Sequence, residues 1–193
     1  MMKKVNLLAI LCCAFMHSFA QNEEINITYS PVSLYRFEKW VDGSFEGQSK
    51  YFVLGAFNLE YKRYLNPWLK IGASCMYDKA VAEGNALQLY YNNSPSTSIS
   101  DIYRSTKSAL VIAPQIDFEY LHHPKFKLSS GLSIGYGIER FRTEGGLNSS
   151  IDLDGITYHI NLLSFQWGKK HGLTGNIGLG YKGLCNLGYF VRF

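Results

Sequence analysis

The residues best suited to catalysis lie around His159. An acyl hydrolase of the serine–histidine type needs a histidine base, a serine within hydrogen-bonding reach and a carboxylate that orients the imidazole. On a strand, the residue two positions along shares the face of His159, and that residue is Asn161. Ser133 and Ser164 could approach His159 only through folding. We therefore expect no catalytic residue, and hydrolysis through His159 stays an alternative.

A second set of residues combines charge with strand spacing, because each member alternates with apolar neighbours. A proton path, a small pore or a catalytic site could be built from such charges if they faced a common interior. They could equally fill that interior as paired charges, since unpaired buried charges are costly. We expect the paired network. The set is Glu60, Lys62, Asp117, Glu119, Lys127, Glu139, Arg192 and His159.

The adjacent His122 and His123 suggest a metal site at first. Successive side chains on a strand point to opposite faces, so two neighbouring histidines do not converge on one ion. We interpret both as turn residues without a function. The sequence predicts no metal ion and no cofactor.

The elements that position these residues are strands. Between Phe126 and Ile138, large apolar residues occupy one face, while small residues and glycines occupy the other. Glycine-rich faces suit the crowded interior of a narrow barrel. The same alternation recurs about eight times, beginning with a less regular strand near Ile25 to Phe37. An all-β fold follows, an eight-stranded antiparallel up-and-down barrel.

The connections between strands alternate in length, as in membrane barrels with short periplasmic turns and long outer loops. Tight turns are predicted at Asn66-Pro67, His122-His123-Pro124 and 168–171. Long polar loops are predicted at 38–50, 79–106 and 142–154, and the run Asn92 to Ser100 is a candidate for surface contact.

Aromatic residues form two groups, one beside each set of connections. Two such groups are typical of the girdles at the two membrane interfaces. Beside the short turns lie Tyr64, Trp68, Tyr120, Phe126, Trp167 and Phe193; beside the long loops lie Tyr77, Tyr136, Tyr158 and Tyr181.

Both ends of the chain fit an exported membrane protein. Lys3 and Lys4 precede a short apolar run and small residues, which predicts a signal peptide at 1–20 and a mature barrel at 21–193. Removal of that segment lowers the formal charge from +4 to +2, so nucleic acid binding is not expected. Cys75 and Cys185 remain, both on apolar strand faces, and no disulfide is expected. From 185 to 193 every odd position is apolar, so the last strand presents these residues to lipid.

These features together resemble the small eight-stranded outer-membrane barrels of the OmpA/OmpX-like type. The turn at 64–69, the closing hairpin at 178–184 and the terminal Phe193 carry the resemblance, which covers the whole mature chain. It implies a Gram-negative outer membrane, contact with outer-membrane lipids and lipopolysaccharide, and recognition of Phe193 by the barrel assembly machinery. A monomer without a periplasmic domain is expected.

The fold does not determine the activity, because this architecture hosts adhesion-related, structural and enzymatic proteins. We expect a non-enzymatic barrel with a plugged interior that serves envelope integrity or surface interaction through its outer loops. The alternatives are a lipid A-modifying enzyme that uses His159 and a small-solute channel. A soluble lipocalin-like barrel is disfavoured, because its apolar face would lie inside.

Overall fold

The computed structural model describes residues 23–33, 50–85, 102–144 and 149–193, and these residues are almost entirely β-structure. Within these ranges no helix is long and apolar enough to cross a bilayer. The strands are β1 (Glu23–Ser30), β2 (Lys50–Val53), β3 (Ala56–Asn66), β4 (Leu69–Asn85), β5 (Ile102–His123), β6 (Phe126–Glu144), β7 (Ser149–Gly168), β8 (His171–Gly180) and β9 (Cys185–Arg192).

Eight of these strands close into a ring. Its order is β1, β3, β4, β5, β6, β7, β8, β9 and back to β1, and every neighbouring pair is antiparallel. The short β2 pairs with β4 beyond the start of β3, so it continues the line of β3 after a break. Gly55 makes this break with φ 91°, a conformation that favours glycine. The eight-stranded antiparallel barrel expected from the alternation is confirmed.

The barrel has an apolar outside and a polar inside. In the last strand Leu187 is 65% exposed, whereas Asn186 is buried and Arg192 contacts Glu24 in the lumen. Cys75 and Cys185 are free thiols on the outside. Buried apolar residues gather towards the ends of the long strands, on the inward face; this small core is Val53, Ala56, Met76, Ala80, Ala109, Val111, Ala113 and Tyr181.

A β-bulge interrupts β7, as the sequence predicts. Apolar residues occupy even positions up to Leu162 and odd positions from Leu163 onwards, and a strand changes parity only by inserting a residue. Both ladders of β7 shift register here, and the Ser130 hydroxyl donates to the Leu162 carbonyl at 2.7 Å. The bulge returns Ser164 and Gln166 to the lumen, where both are buried.

The turns follow the predicted alternation, but the long loops do not. The three tight turns join β3 to β4, β5 to β6 and β7 to β8. Residues 79–85 and 102–106 of one predicted loop, and residues 142–144 and 149–154 of another, are instead strand, because backbone pairing continues where the outward face becomes polar. Residues 86–101 and 145–148 of these loops lie outside the described residues. The segments 38–49 and 92–100 lie outside the described residues. The first strand is shorter than the predicted 25–37 where it is described, and residues 34–37 also lie outside.

Two aromatic residues assigned to the girdles lie inside the barrel. Tyr64 donates its hydroxyl hydrogen to Glu119 in the lumen at 3.0 Å. Alternation along β8 would place Tyr181 outside, but β8 ends at Gly180, which has φ 131°. The chain turns there, and Tyr181 lies inside the barrel with 3% of its surface exposed. The other girdle residues are partly exposed on the outside: Trp68, Tyr77, Tyr120, Phe126, Tyr136, Tyr158, Trp167 and Phe193.

Candidate functional site

The lumen near the short turns holds a cluster of ion pairs. Arg192 Nη2 lies 3.0 Å from Glu24 Oε2, and Lys127 Nζ lies 3.3 Å from Glu119 Oε1. Lys70 Nζ connects the two carboxylates, at 2.9 Å from Glu119 Oε2 and 3.7 Å from Glu24 Oε2. Each charge in this cluster therefore has an opposite charge within 4 Å.

Tyr64 and Gln166 join these charges into one network. The hydroxyl of Tyr64 accepts from Lys127 Nζ at 2.7 Å, and its ring lies 4.7 Å from Lys70 Nζ. Gln166 donates to Glu24 and accepts from Arg192 at 2.9 Å. These neutral side chains add hydrogen bonds, which a buried charge requires in addition to its counterion.

A second cluster lies deeper in the lumen, around Glu60. Lys182 Nζ lies 2.5 Å from Glu60 Oε1 and donates to Gln115 Oε1 at 2.8 Å. Lys62 Nζ lies 2.8 Å from Glu60 Oε2 and 2.7 Å from Asp117 Oδ2. All five residues are buried, so the charges are tied to each other rather than to solvent.

Tyr181 reaches across the lumen above the charge clusters. Its hydroxyl lies 2.7 Å from Ser74 Oγ and donates to Ser133 Oγ at 2.9 Å. These contacts cross the barrel from the β8–β9 turn to β4 and to β6. The side chain thus separates the polar lumen from the apolar core at the long-strand end.

Most of the charges predicted to face inward do so. Glu60, Lys62, Asp117, Glu119 and Lys127 are buried in the lumen, Arg192 reaches Glu24 there, and His159 is fully buried. Glu139 lies on the inward face but at the open end, partly exposed, with Lys107 Nζ at 3.7 Å.

Sequence reasoning missed three charged members of the two lumen clusters: Glu24, Lys70 and Lys182. Glu24 shares its strand face with Asn26 and Thr28, and Lys70 opposes apolar neighbours in β4, so alternation could have found both. Lys182 belongs to a turn, where no periodicity operates.

His159 contacts Asn161 and Tyr181 inside the barrel. Its Nε2 lies 2.9 Å from Asn161 Oδ1, and its ring packs against Tyr181 at 5.5 Å between centroids. The Ser133 hydroxyl is engaged by Tyr181 and lies 3.4 Å from the His159 carbonyl oxygen, in contact with the backbone rather than the imidazole. Among the described residues, the imidazole therefore contacts the Asn161 amide rather than a serine hydroxyl.

The other described histidines are not grouped with two further potential metal ligands. His122 contacts the Glu119 carboxylate at the short-turn mouth. No group of three potential metal ligands occurs in the part of the chain that the structure describes.

The two faces of the sheet exchange polarity towards the long-strand end. The last apolar outward row contains Tyr77, Leu110 and Ile138, and it ends at Asp154. The next outward row is polar and charged: Lys79, Ser108, Arg140 and Asp152. The inward row beyond is mainly apolar: Val53, Ala80, Lys107, Phe141 and Ile151. The outward face is therefore suited to lipid below this boundary and to water above it.

The strand β7 has an open edge that begins just below this boundary and extends beyond it. Its pairing with β8 begins at His159, while its pairing with β6 runs along the whole strand to Ser149. Between 149 and 157 no other described strand pairs with its second side. Ile156, within this edge, is 83% exposed. We call residues 149–157 the open edge, and the parts of β2, β4, β5, β6 and β7 beyond the boundary the outer sheet.

The architecture is that of a small outer-membrane barrel. An up-and-down antiparallel ring with an apolar exterior and a charged interior is built to span the outer membrane. Two crystal structures of Ail, the attachment invasion locus protein of Yersinia pestis, are similar to this chain at 16% identity. Each match covers 90% of this chain and 99% of the Ail chain, with TM-scores of 0.46 and 0.45; the first structure contains the heparin analogue sucrose octasulfate. No protein-family model and no curated protein matches the sequence.

The membrane boundary places residues 149–153 of the open edge in water. Unpaired backbone groups are not tolerated in hydrocarbon. The short turns and the chain terminus at Phe193 lie at the opposite end of the barrel, and outer-membrane barrels keep their short turns in the periplasm. The outer sheet and its edge thus belong to the extracellular side.

Proposed function

We propose that this protein is a non-enzymatic outer-membrane barrel that binds an extended segment of a partner protein at the open edge of β7. Residues 1–20 act as the export signal, residues 21–193 form the mature protein, and Phe193 is read by the assembly machinery. Outer-membrane lipids and lipopolysaccharide surround the mature chain, which acts as a monomer. The open edge is the observation that carries this proposal.

The lumen supports a scaffold rather than a channel. Buried ion pairs cross it at two levels, around Glu119 and around Glu60, and Tyr181 spans it above them. Each level consists of side chains from several strands, so an opening would have to separate paired charges in a low-dielectric interior. Planar-bilayer recordings of the purified protein should therefore show no stable conductance.

The edge supports recognition of a main chain. An unpaired strand presents a row of N–H and C=O groups, and an added strand satisfies them without regard to its own sequence. Natural sheet edges are blunted by proline or by inward charges. The open edge has no proline, its inward residues Ile151 and Leu153 are apolar, and its charged residues Asp152 and Asp154 face outward. The outer sheet holds β7 in place through its complete ladder with β6.

Extended peptides test this function directly. The mature protein in lipid nanodiscs is titrated with nine-residue peptides of alternating threonine and valine, and hydrogen exchange of the β7 amides is measured. Binding should protect amides between 149 and 157. Peptides with N-methylated backbone amides are the matched control and should not bind.

Proline variants provide a second control within the chain. Successive amides of a strand point to opposite sides. Leu153→Pro and Asp154→Pro therefore remove amides on different sides: one variant loses an amide that pairs with β6, and the other loses an amide of the open edge. The edge-directed variant should fold normally and lose peptide binding. Equal binding by methylated and unmethylated peptides would refute the function.

A further inference from the structure

The ion-pair cluster near the short turns carries more positive than negative charge. Its cations are Lys70, Lys127 and Arg192, and its carboxylates are Glu24 and Glu119. Lys70 contacts both carboxylates, and each carboxylate also serves a second cation. Among the described residues, three cations against two carboxylates leave this cluster with a formal charge of +1.

The rest of the described lumen does not compensate this charge nearby. In the deeper cluster Lys62 and Lys182 oppose Glu60 and Asp117, so that cluster is neutral by itself. Glu23 follows the opposite face of β1, which is the outside of the barrel. A buried charge without a counterion is costly, so the excess charge favours an anion at the cluster.

A cavity of about 350 Å³ adjoins the cluster at the short-turn end of the barrel. Tyr64, Lys127 and Arg192 line it from the lumen, and the β3–β4 turn lines it with Asn66. His122 completes the polar lining, which among the described residues contains no carboxylate. This space, which we call the mouth cavity, lies in the size range of small-molecule sites.

Arg192 has a hydrogen-bond donor without an acceptor at this place. Its Nη2 donates to Glu24 and Gln166, and its Nη1 donates to the Lys169 carbonyl. Its Nε is buried and has no partner in the part of the chain that the structure describes. A guanidinium carries a hydrogen on Nε as well, so this donor is available to an anion.

Lys127 and Asn66 add further donors. The ammonium of Lys127 contacts Glu119 and the Tyr64 hydroxyl and carries a third hydrogen. The side-chain amide of Asn66 can donate from the turn. Donors from β6, β9 and the β3–β4 turn therefore surround one cavity.

We propose that the mouth cavity binds a phosphate group. A phosphate supplies the missing negative charge and offers more acceptor oxygens than a carboxylate, and lysine and arginine are the side chains that bind phosphate in proteins. The group can belong to a soluble anion or to a phospholipid headgroup of the adjacent leaflet, since both present the same oxygens. The site lies at the opposite end of the barrel from the open edge and is independent of it.

Inorganic phosphate tests the site directly. The isotope-labelled mature protein is placed in phosphatidylcholine nanodiscs, and the signals of the Arg192 Nε–H and the Asn66 side-chain amide are followed by NMR. Phosphate should shift both signals saturably, whereas chloride at equal ionic strength should not. No saturable shift, or an equal shift with chloride, would overturn the proposal.

Three variants locate the binding, which is then measured at the Asn66 amide. Lys127→Met leaves two cations and two carboxylates and should lower phosphate affinity at least about tenfold, the effect of one charge-assisted hydrogen bond. Arg192→Lys keeps the charge but removes Nε and should also weaken binding. Lys125→Met removes the same charge from the β5–β6 turn, outside the cavity lining, and should bind phosphate as the unaltered protein does.

Lipid composition separates the two sources of the phosphate group. In phosphate-free buffer, phosphatidylglycerol in the nanodisc should shift the same signals if the headgroup reaches the mouth cavity. Signals that respond to inorganic phosphate alone would support a soluble anion at the same site. Equal losses of affinity in Lys125→Met and Lys127→Met would indicate general attraction to a basic surface and overturn the cavity. Affinity that survives both Lys127→Met and Arg192→Lys would also overturn it.

Discussion

Replacing Lys182 by methionine should strongly destabilise the barrel, although the residue belongs to a turn. Its ammonium group is fully buried, 2.5 Å from Glu60 Oε1 and 2.8 Å from Gln115 Oε1. Breaking a buried ion pair from one side costs about 3–5 kcal/mol, because the remaining charge stays desolvated. Glu60 keeps Lys62 at 2.8 Å, so we expect the lower end, about 3 kcal/mol.

The test is a double-mutant cycle in phospholipid vesicles. Urea unfolding, followed by tryptophan fluorescence, gives the free energy of unfolding for Lys182→Met, Glu60→Gln and the double variant. Removing both partners leaves Lys62 paired with Asp117 at 2.7 Å. The loss in free energy of unfolding for the double variant should therefore be about 2 kcal/mol smaller than the sum of the two single losses. This difference lies within the range of coupling energies for contacting residues.

Lys107→Met is the matched control. Lys107 lies 3.7 Å from Glu139 and is about one-third exposed, and such surface pairs contribute about 0–1 kcal/mol. If Lys182→Met were as mild as Lys107→Met, or if the losses of the cycle were additive, the buried network would not be a source of stability.

Three further results are expected. Leu187→Arg places a charge on the lipid face and should lower the free energy of unfolding by about 2–4 kcal/mol near the bilayer midplane; a spin label at Leu187 that reports water would contradict the orientation. Deleting Phe193 should reduce outer-membrane levels in cells more than it reduces stability in vesicles, since burial of such a side chain contributes at most about 1.5–3 kcal/mol and Phe193 is half-exposed. Normal levels of the truncated protein in cells would argue against an assembly signal. Tyr181→Phe should cost about 1–3 kcal/mol, because Ser74 and Ser133 lose a buried partner; an unchanged urea midpoint would show that these bonds contribute nothing.

The sequence predicts the barrel well where a single rule operates. Within the membrane every strand must show apolar residues to lipid, so alternation identifies the outward residues and even the bulge at Leu162. Beyond the boundary the outward face meets water, and the rule reverses. Ile151 lies on the inward face, whereas Ile156 of the same strand lies on the outward face. The reversed stretch looks like a polar loop, which explains why the outer sheet was not predicted.

The open edge could not be predicted from the sequence for a related reason. Periodicity shows which face a residue occupies, but it does not show which strands end early. The open edge exists because β8 is shorter than its neighbour β7. The pairing of the two strands stops where β8 ends at Gly180, whereas β7 extends further, to Ser149.

The lumen network and the open edge are parts of one arrangement. The turn after Gly180 directs Tyr181 to Ser74 and Lys182 to Glu60. Gly183, at φ 92°, then turns the chain into β9. Because two consecutive side chains draw this turn into the barrel, β8 does not continue alongside β7 beyond His159. The buried charges therefore do more than fill the interior: they hold the β8–β9 turn away from the segment that the partner strand would occupy.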